Sequence, residues 1–350
     1  SNVDIKGASL GDANPAVTIR GVGMNNFNGN NNPAVGVYVD EVFLSSPALI
    51  GLAMMDVGRI EVLKGPQGTL YGRNASGGAI NIISAKPTQE TQGFANLSVG
   101  DYDKVKFEGA IGGALSDTIS GRVSALYDRQ GESFHTNLLN GQDFGDSENT
   151  GLRGQLAYDS ERLSWNLTAQ FQNQDMSNSP FTNFGLIDPV TFDLCAPALN
   201  GQVDNSQCVD FLGYSDTSDS DPFTHEFQTS RMADLRIDSD VVSVNFKLDY
   251  EFDAMTLTSI TGYIQQDRDF GENIWSTPNE LFAVVHNEEI DQLSQELRLS
   301  GDTERATWVA GLFYSVDNFD SLNTANSADI VGAFFGLDPL IWTTDQETTA

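Results

Sequence analysis

The chain has 350 residues, with 49 acidic against 18 basic side chains and a formal net charge of −31. That balance excludes a nucleic-acid binder, which needs a basic face to meet phosphates, and two cysteines with three histidines are little material for a zinc or iron–sulfur centre. A hydrophobic fraction of 39% is enough to bury a core, which excludes wholesale disorder. No stretch approaches the roughly 18 apolar residues of a membrane helix, and Ser1 to Leu10 show no basic segment leading into an apolar one, so no secretory leader is expected. Up to about Lys86 the chain is glycine-rich and mixes short apolar runs with tight turns. Ala16–Arg20, Gly36–Val39, Arg59–Leu63 and Gly78–Ile83 each read as a short strand, and Asn25–Asn32 as a loop without periodicity. Ser45–Met55 is the best helical candidate, entered through Ser46 and Pro47 as cap and first-turn proline. This part predicts a small α+β domain over residues 1–88.

From about Gln92 the texture changes to long segments that alternate apolar and polar with period two. Leu163, Trp165, Leu167, Ala169 and Phe171 oppose Ser164, Asn166, Thr168, Gln170 and Gln172; Val242, Val244, Phe246 and Leu248 oppose Ser243, Asn245 and Lys247. Nine such segments are expected, at 92–99, 104–113, 118–130, 151–159, 162–174, 239–250, 255–267, 289–300 and 305–317. Most exceed the usual strand length of about five or six residues. Ala114–Asp117, Ser160–Glu161, Glu251–Ala254 and Gly301–Glu304 are short connections; Gly131–Thr150, Asp175–Asp238, Arg268–Glu288 and the stretch after Asp317 are long and acidic. Only Gly100–Asp103 is short where a long loop is due. Strands of this length, with alternating faces and short turns at one end against long loops at the other, describe a transmembrane β-barrel. Tyr127, Phe171, Tyr250, Phe252, Phe270 and Trp308 near strand ends are candidates for an interfacial aromatic girdle. A soluble all-β sandwich alternates too, and strand length with loop asymmetry favours the barrel. Nine strands would leave unpaired edges in lipid, so the chain is expected to be incomplete at both ends.

The run Val17-Thr-Ile-Arg20-Gly21, then Val37-Tyr-Val-Asp40, then Arg59-Ile-Glu-Val-Leu-Lys-Gly-Pro-Gln-Gly-Thr-Leu-Tyr-Gly-Arg-Asn74, then Ser76-Gly-Gly-Ala-Ile-Asn-Ile-Ile83, closely resembles the plug domain of TonB-dependent outer-membrane receptors. Gln295-Glu-Leu-Arg-Leu-Ser300 and Trp308-Val-Ala-Gly-Leu-Phe-Tyr314 resemble barrel segments of the same family. Two departures are mild: Glu41 stands where the family usually has glycine, and Lys64 where arginine is commoner. The resemblance implies a plug at 1–88 followed, over 89–350, by the first part of a 22-stranded antiparallel barrel, with the TonB box and the signal peptide outside this chain. It also implies location in the outer membrane of a Gram-negative bacterium, among lipid and lipopolysaccharide. The implied function is import of a scarce bulky solute, most often a ferric siderophore carried as ligand, driven through TonB with ExbB and ExbD. Cobalamin or an oligosaccharide is the alternative cargo, and a passive porin or a structural surface barrel the alternative of another class. No resident cofactor and no catalysis are expected, since no nucleophile–base constellation is present.

Three groups of residues are candidates for function. Arg20, Asn25, Asn26, Phe27 and Asn28, with Phe43 and Leu44 as a second apex, would line the ligand pocket on the outer side: asparagine donates and accepts, Phe27 stacks, and Arg20 meets an anionic chelate. Arg59, Glu61, Lys64 and Arg73 of the plug, with Glu296 and Arg298 on a polar strand face, would form a latch in which plug cations pair with wall carboxylates such as Glu296. The alternative is that these charges merely satisfy one another's desolvation. Cys195 and Cys208, thirteen positions apart in the longest loop, would form a disulfide worth about 3 kcal/mol in an oxidising compartment, with free thiols as the alternative. The Gly72–Gly78 stretch lacks the lysine, and so the lysine–hydroxyl pair, of a phosphate loop, and the acidic run Asp210, Asp216, Asp219, Asp221, Glu226 lacks calcium-loop spacing. No metal site is expected.

Overall fold

Two blocks of strands are separated by a short connection after Ser84. The computed structural model describes residues 2–6, 15–23, 29–31, 33–132, 135–137, 141, 143–177, 185–202, 207–210, 213–214, 226–227, 236–272, 282–327 and 340–349. In the first block, β1 (Val3–Lys6), β2 (Ala16–Ile19) and β3 (Val22–Gly23) form a small antiparallel sheet. A second sheet holds β4 (Val35–Val39), β5 (Val42–Phe43), β6 (Val57–Lys64) and β7 (Gly78–Ser84) in the order β5-β4-β7-β6, with β4 and β7 parallel. α1 (Gly68–Tyr71) follows the Gly65 turn. The helix expected over 45–55 is a seven-residue 3₁₀ segment, Pro47–Ala53, whose Ser46 cap accepts from the Ala48 N–H. Ala48, Leu49 and Ile50 are all buried. A segment covered on consecutive positions has no single apolar stripe to sustain an α-helix, and 3₁₀ geometry serves as the connector.

The second block is one antiparallel sheet of ten strands, drawn from β8 (Gln92–Gly100), β9 (Lys104–Ala114), β10 (Ile119–Gln130), β13 (Ser147–Asp159), β14 (Leu163–Ser177), β16 (Arg236–Glu251), β17 (Met255–Glu272), β18 (Phe282–Thr303), β19 (Ala306–Ser327) and β20 (Leu340–Thr349). Between them β11 (His135–Asn137), β12 (Asp143–Phe144) and β15 (Glu226–Phe227) make a small loop sheet, and α2 (Ala196–Leu199) follows Cys195. The sequence predicts nine of the ten. The tenth, β20, opens with Leu340, Ile341 and Trp342 across both faces and is polar thereafter, so it carries no period-two signal; it pairs with Val316–Ala325 of β19. At 22 residues each, β18 and β19 are about twice the length that crosses a bilayer, and the surplus extends on the long-loop side.

The wall alternates as the sequence requires. Leu293, Leu297 and Leu299 are exposed on one face, while Gln292 and Ser294 are buried on the other, against the plug. Where the plug covers the wall, apolar residues also point inward: Val241, Ile260 and Ile264 join Val17, Ile19, Val35, Val37, Ile80 and Ile82 in one core. At the short-turn end, Tyr158, Trp165 and Phe246 lie ring against ring at 5.9 and 6.2 Å, and Tyr250 meets Phe252 at 4.7 Å, as an interfacial belt would. Phe270 is a correction to that belt. It is buried on the inward face, stacked on His286 at 4.4 Å with the Arg268 guanidinium over its ring.

Candidate functional site

The plug meets the wall chiefly through the β4–β5 hairpin. Its two-residue turn, Asp40–Glu41, has φ of 47° and 71°, the doubly positive pattern that favours asparagine, aspartate and glycine. Asp40 is tied back to β7 by the Ser84 N–H and hydroxyl at 2.9 and 2.7 Å, and its carbonyl accepts from the Asn245 amide at 3.0 Å. Glu41 reaches the wall, where its two carboxylate oxygens accept from Lys247 and Arg298. Burial opposes ionisation of Glu41, but the bonds from Lys247 and Arg298 outweigh it and hold the carboxyl below its usual range. Beside the turn, Val42 lies so close to Gly262 that a Cβ there would sit 2.5 Å from a Val42 methyl; the wall strand needs glycine at this point. Beyond it, Gln292 accepts from the Ser45 N–H at 3.0 Å and donates to the Phe43 carbonyl at 2.5 Å.

Two further contacts flank the hairpin. Arg73 donates to Asp317 at 2.5 Å and lies against the Phe43 ring. On the other flank, the Met55–Asp56 turn is clamped by three wall strands. Arg122 grips the Asp56 carboxylate with two bonds of 2.7 Å, Ser124 adds a third, and Arg153 donates to the Met55 carbonyl at 2.6 Å. The Asp56 N–H meets Glu108 at 2.9 Å. Burial opposes ionisation of Asp56 as well, and the Arg122 and Ser124 bonds again hold its carboxyl down. Inside the plug, burial pushes the Tyr38 phenol up to about 12, so it stays protonated and donates to the Tyr71 carbonyl at 2.6 Å.

These contacts reverse much of the predicted latch. Glu296 faces Arg298 at 3.3 Å within the same wall strand, and Arg298 turns to a plug carboxylate, so the dominant polarity is plug anion against wall cation. Arg59 pairs with its neighbour Glu61 at 2.7 Å on an exposed edge strand, where Lys64 also lies exposed. The physical reason is topology: β6 is the outer strand of its sheet and turns these side chains away from the wall. Of the predicted plug cations, Arg73 does pair with a wall carboxylate, and that partner is Asp317. Phe43 and Leu44 form no open apex either; both are buried, Phe43 on Tyr38 at 5.5 Å and Leu44 in the shared core. Arg20 is exposed at the β2–β3 turn. Asn25, Asn26, Phe27 and Asn28 lie outside the described residues. The next residue, Gly29, sits at the long-loop end, its carbonyl accepting from Ser46 at 2.8 Å and its α-carbon against Phe319, Glu288 and Arg268. Cys195 and Cys208 form a disulfide, with Cα atoms 5.7 Å apart.

Sequence reasoning passed over Glu41, Asp56, Arg122, Arg153 and Lys247. A signal for the cations existed: Arg122, Arg153 and Lys247 stand on the polar faces of alternating strands, where a lumen-facing charge requires a polar or oppositely charged partner.

Comparison with known proteins agrees with this arrangement. Residues 1–79 match the TonB-dependent Receptor Plug Domain. Over 96 residues the chain is 40% identical to the pesticin receptor of Yersinia enterocolitica, a stretch covering 27% of this chain and 14% of that one. Over 110 residues it is 34% identical to the ferripyoverdine receptor of Pseudomonas aeruginosa, covering 31% and 13%. In three dimensions the whole chain superposes on 56% of the ferric yersiniabactin uptake receptor FyuA of Yersinia pestis, with a TM-score of 0.71 at 18% identity. The ferripyoverdine receptor of the outer membrane of Pseudomonas aeruginosa matches 93% of the chain over 40% of its own, with a TM-score of 0.63 at 17% identity. The chain thus spans about half the length of the receptor FyuA. Residues 1–79 thus carry a plug domain of the TonB-dependent receptor type, and the chain as a whole, a plug sheet seated on the inner face of a strand wall, shares the fold of these outer-membrane receptors.

Proposed function

We propose that the receptor carrying this chain imports a ferric siderophore across the outer membrane, powered by the proton-motive force through TonB, ExbB and ExbD. The observation that carries the reading is the plug itself, a separate sheet seated on the wall by a shared apolar patch and by discrete polar contacts (Glu41 with Lys247 and Arg298, Arg73 with Asp317, Asp56 with Arg122). Such contacts hold the plug at rest and break one at a time under a pull. Relatives described as receptors for ferripyoverdine and ferric yersiniabactin support an iron chelate as cargo. In this reading Arg20 and residues 25–28 remain ligand candidates. The test is uptake of radiolabelled ferric siderophores by cells expressing the receptor, with and without TonB. TonB-dependent iron uptake supports the proposal; uptake indifferent to TonB overturns the mechanism; and absence of iron uptake moves the cargo to cobalamin or a glycan.

A further inference from the structure

The lipid-facing surface of the wall is not uniform. On β14, β16, β17, β18 and β19, the outward positions across the apolar belt carry side chains throughout, such as Leu167, Val244, Tyr263, Leu293 and Leu312. On β9, β10 and β13 the same face is cut back to glycine. The pairing Gly113↔Gly121 and the adjacent Val123↔Gly154 bring three outward glycines together, and Ala169 pairs with Gly154 on the next strand. A groove of about 630 Å³ results. Ile111, Val123, Leu115 and Leu156 form its rims, all exposed by 40% or more. Nothing lies within 4 Å of where a Gly154 Cβ would stand, so the groove is open there, while Cβ atoms at Gly113 and Gly121 would meet Thr91 and Leu115 at 2.9 and 3.1 Å, where the groove closes.

Glycine within a strand is destabilising, and in sheets it marks a bend or a place where a ligand approaches the backbone. β9, β10 and β13 pair in unbroken register here, so no bulge accounts for the glycines. The groove also has a defined depth. It lies one row above the Tyr158–Trp165 stack, at the end closed by the short turns. Short turns face the periplasm in this class of barrel, so the groove opens into the hydrocarbon of the periplasmic leaflet. The adjoining turns carry exposed Asp117, Asp159 and Glu161 against one exposed cation, Arg162, which is paired with Asp253 at 2.8 Å, a net negative rim that disfavours an anionic headgroup and attracts an ammonium.

We propose that this groove is a binding site for one acyl chain of an ammonium-bearing phospholipid of the phosphatidylethanolamine type. It is continuous with the lipid interface, apolar over its floor and rims, and sized for a chain laid along the wall rather than for a protein side chain. Packing against backbone and four rims gives that chain contacts which bulk lipid does not supply, since dispersion at short range is what distinguishes sites within a hydrocarbon medium.

The receptor carrying this chain, reconstituted in vesicles containing phosphatidylethanolamine with a diazirine on one acyl chain, tests this. Photolysis followed by peptide mapping is expected to place the label in 111–123 and 154–156 several-fold above the flat belt at 293–299. Gly154→Leu should reduce it to belt level and Gly154→Ala only in part, with unheated gel mobility confirming a closed barrel. Replacing the host lipid by phosphatidylglycerol bearing the same label should lower the incorporation. Even labelling around the belt, labelling unchanged by Gly154→Leu, or groove peptides cross-linked to a second copy of the protein would each overturn the proposal.

Discussion

Replacing Glu41 by alanine and, in a second variant, by glycine separates two energies that the hairpin turn combines. Glu41 sits at φ 71°, a left-handed conformation that costs a residue with a side chain about 1 kcal/mol. Its carboxylate accepts from Lys247 and Arg298, and the three side chains are 38%, 26% and 33% exposed. Partial exposure screens the pairs, so together they are worth about 1–2 kcal/mol, more than surface pairs and less than buried ones. Glu41→Ala loses the pairs and keeps the strained backbone, so it should lower stability by about 1–2 kcal/mol. Glu41→Gly loses the same pairs but relieves the strain, and its net loss should fall to roughly 0–1 kcal/mol after allowing for glycine's larger unfolded entropy. Urea titration of plug release from the receptor, read by protease cleavage within residues 35–64, measures both variants. A cycle with Arg298→Ala isolates that partner's share. A glycine variant less stable than the alanine variant, or both equal to the parent, would refute the reasoning.

The same carboxylates set a pH dependence. Folding lowers the Glu41 and Asp56 values, so their contribution is fully present above the unfolded carboxylate values of about 4 and is lost as pH falls through the lowered folded ones. Plug retention should be level from pH 7 to about 5 and decline below about 4; a loss between pH 8 and 6 would contradict this. Asp56→Ala strands Arg122, whose side chain is 9% exposed, and should cost about 3–5 kcal/mol in chemical denaturation. Gly262→Ala drives a Cβ into Val42 and should cost about 1–3 kcal/mol, largely recovered in the double variant with Val42→Ala, which thermal melts can compare. On the outward face beyond the apolar belt, Asp240, Asp267, Glu289, Asp320 and Asp345 lie in register across five strands. Like charges directly opposite are destabilising, so Asp267→Asn with Glu289→Gln should raise stability by up to about 1 kcal/mol per relieved pair, read as a higher melting temperature. A lower melting temperature would count against that account.

Much of the fold is legible along the chain because a strand with one face in lipid and one in a polar lumen must alternate with period two. Leu163 to Gln172 and Val242 to Lys247 display this directly, and the short turns mark where the wall reverses. The alternation stops where the strands leave the membrane. β20 and the outer halves of β17, β18 and β19 mix apolar and polar residues on both faces, as at Phe282–Val285 and Leu340–Trp342, and escape any reading by periodicity. The glycine groove escapes as well, since Gly113, Gly121 and Gly154 are distant in sequence and become neighbours only through strand register. For the site, the chain announces charged residues on inward faces but not their partners. Glu296 and Arg298 stand two apart on one face and meet each other, which leaves Arg298 to be claimed by Glu41.

Sequence alone therefore determined the class of this protein: a glycine-rich plug segment followed by long alternating strands with acidic loops, a pattern set by local steric and hydration preferences. Only the tertiary structure decided how the plug is held. A residue's face follows from its own strand, whereas its ionic partner depends on which two surfaces are brought together, and burial makes such charges find opposite or polar partners. Here that requirement selects plug carboxylates Glu41 and Asp56 against wall cations Lys247, Arg298 and Arg122.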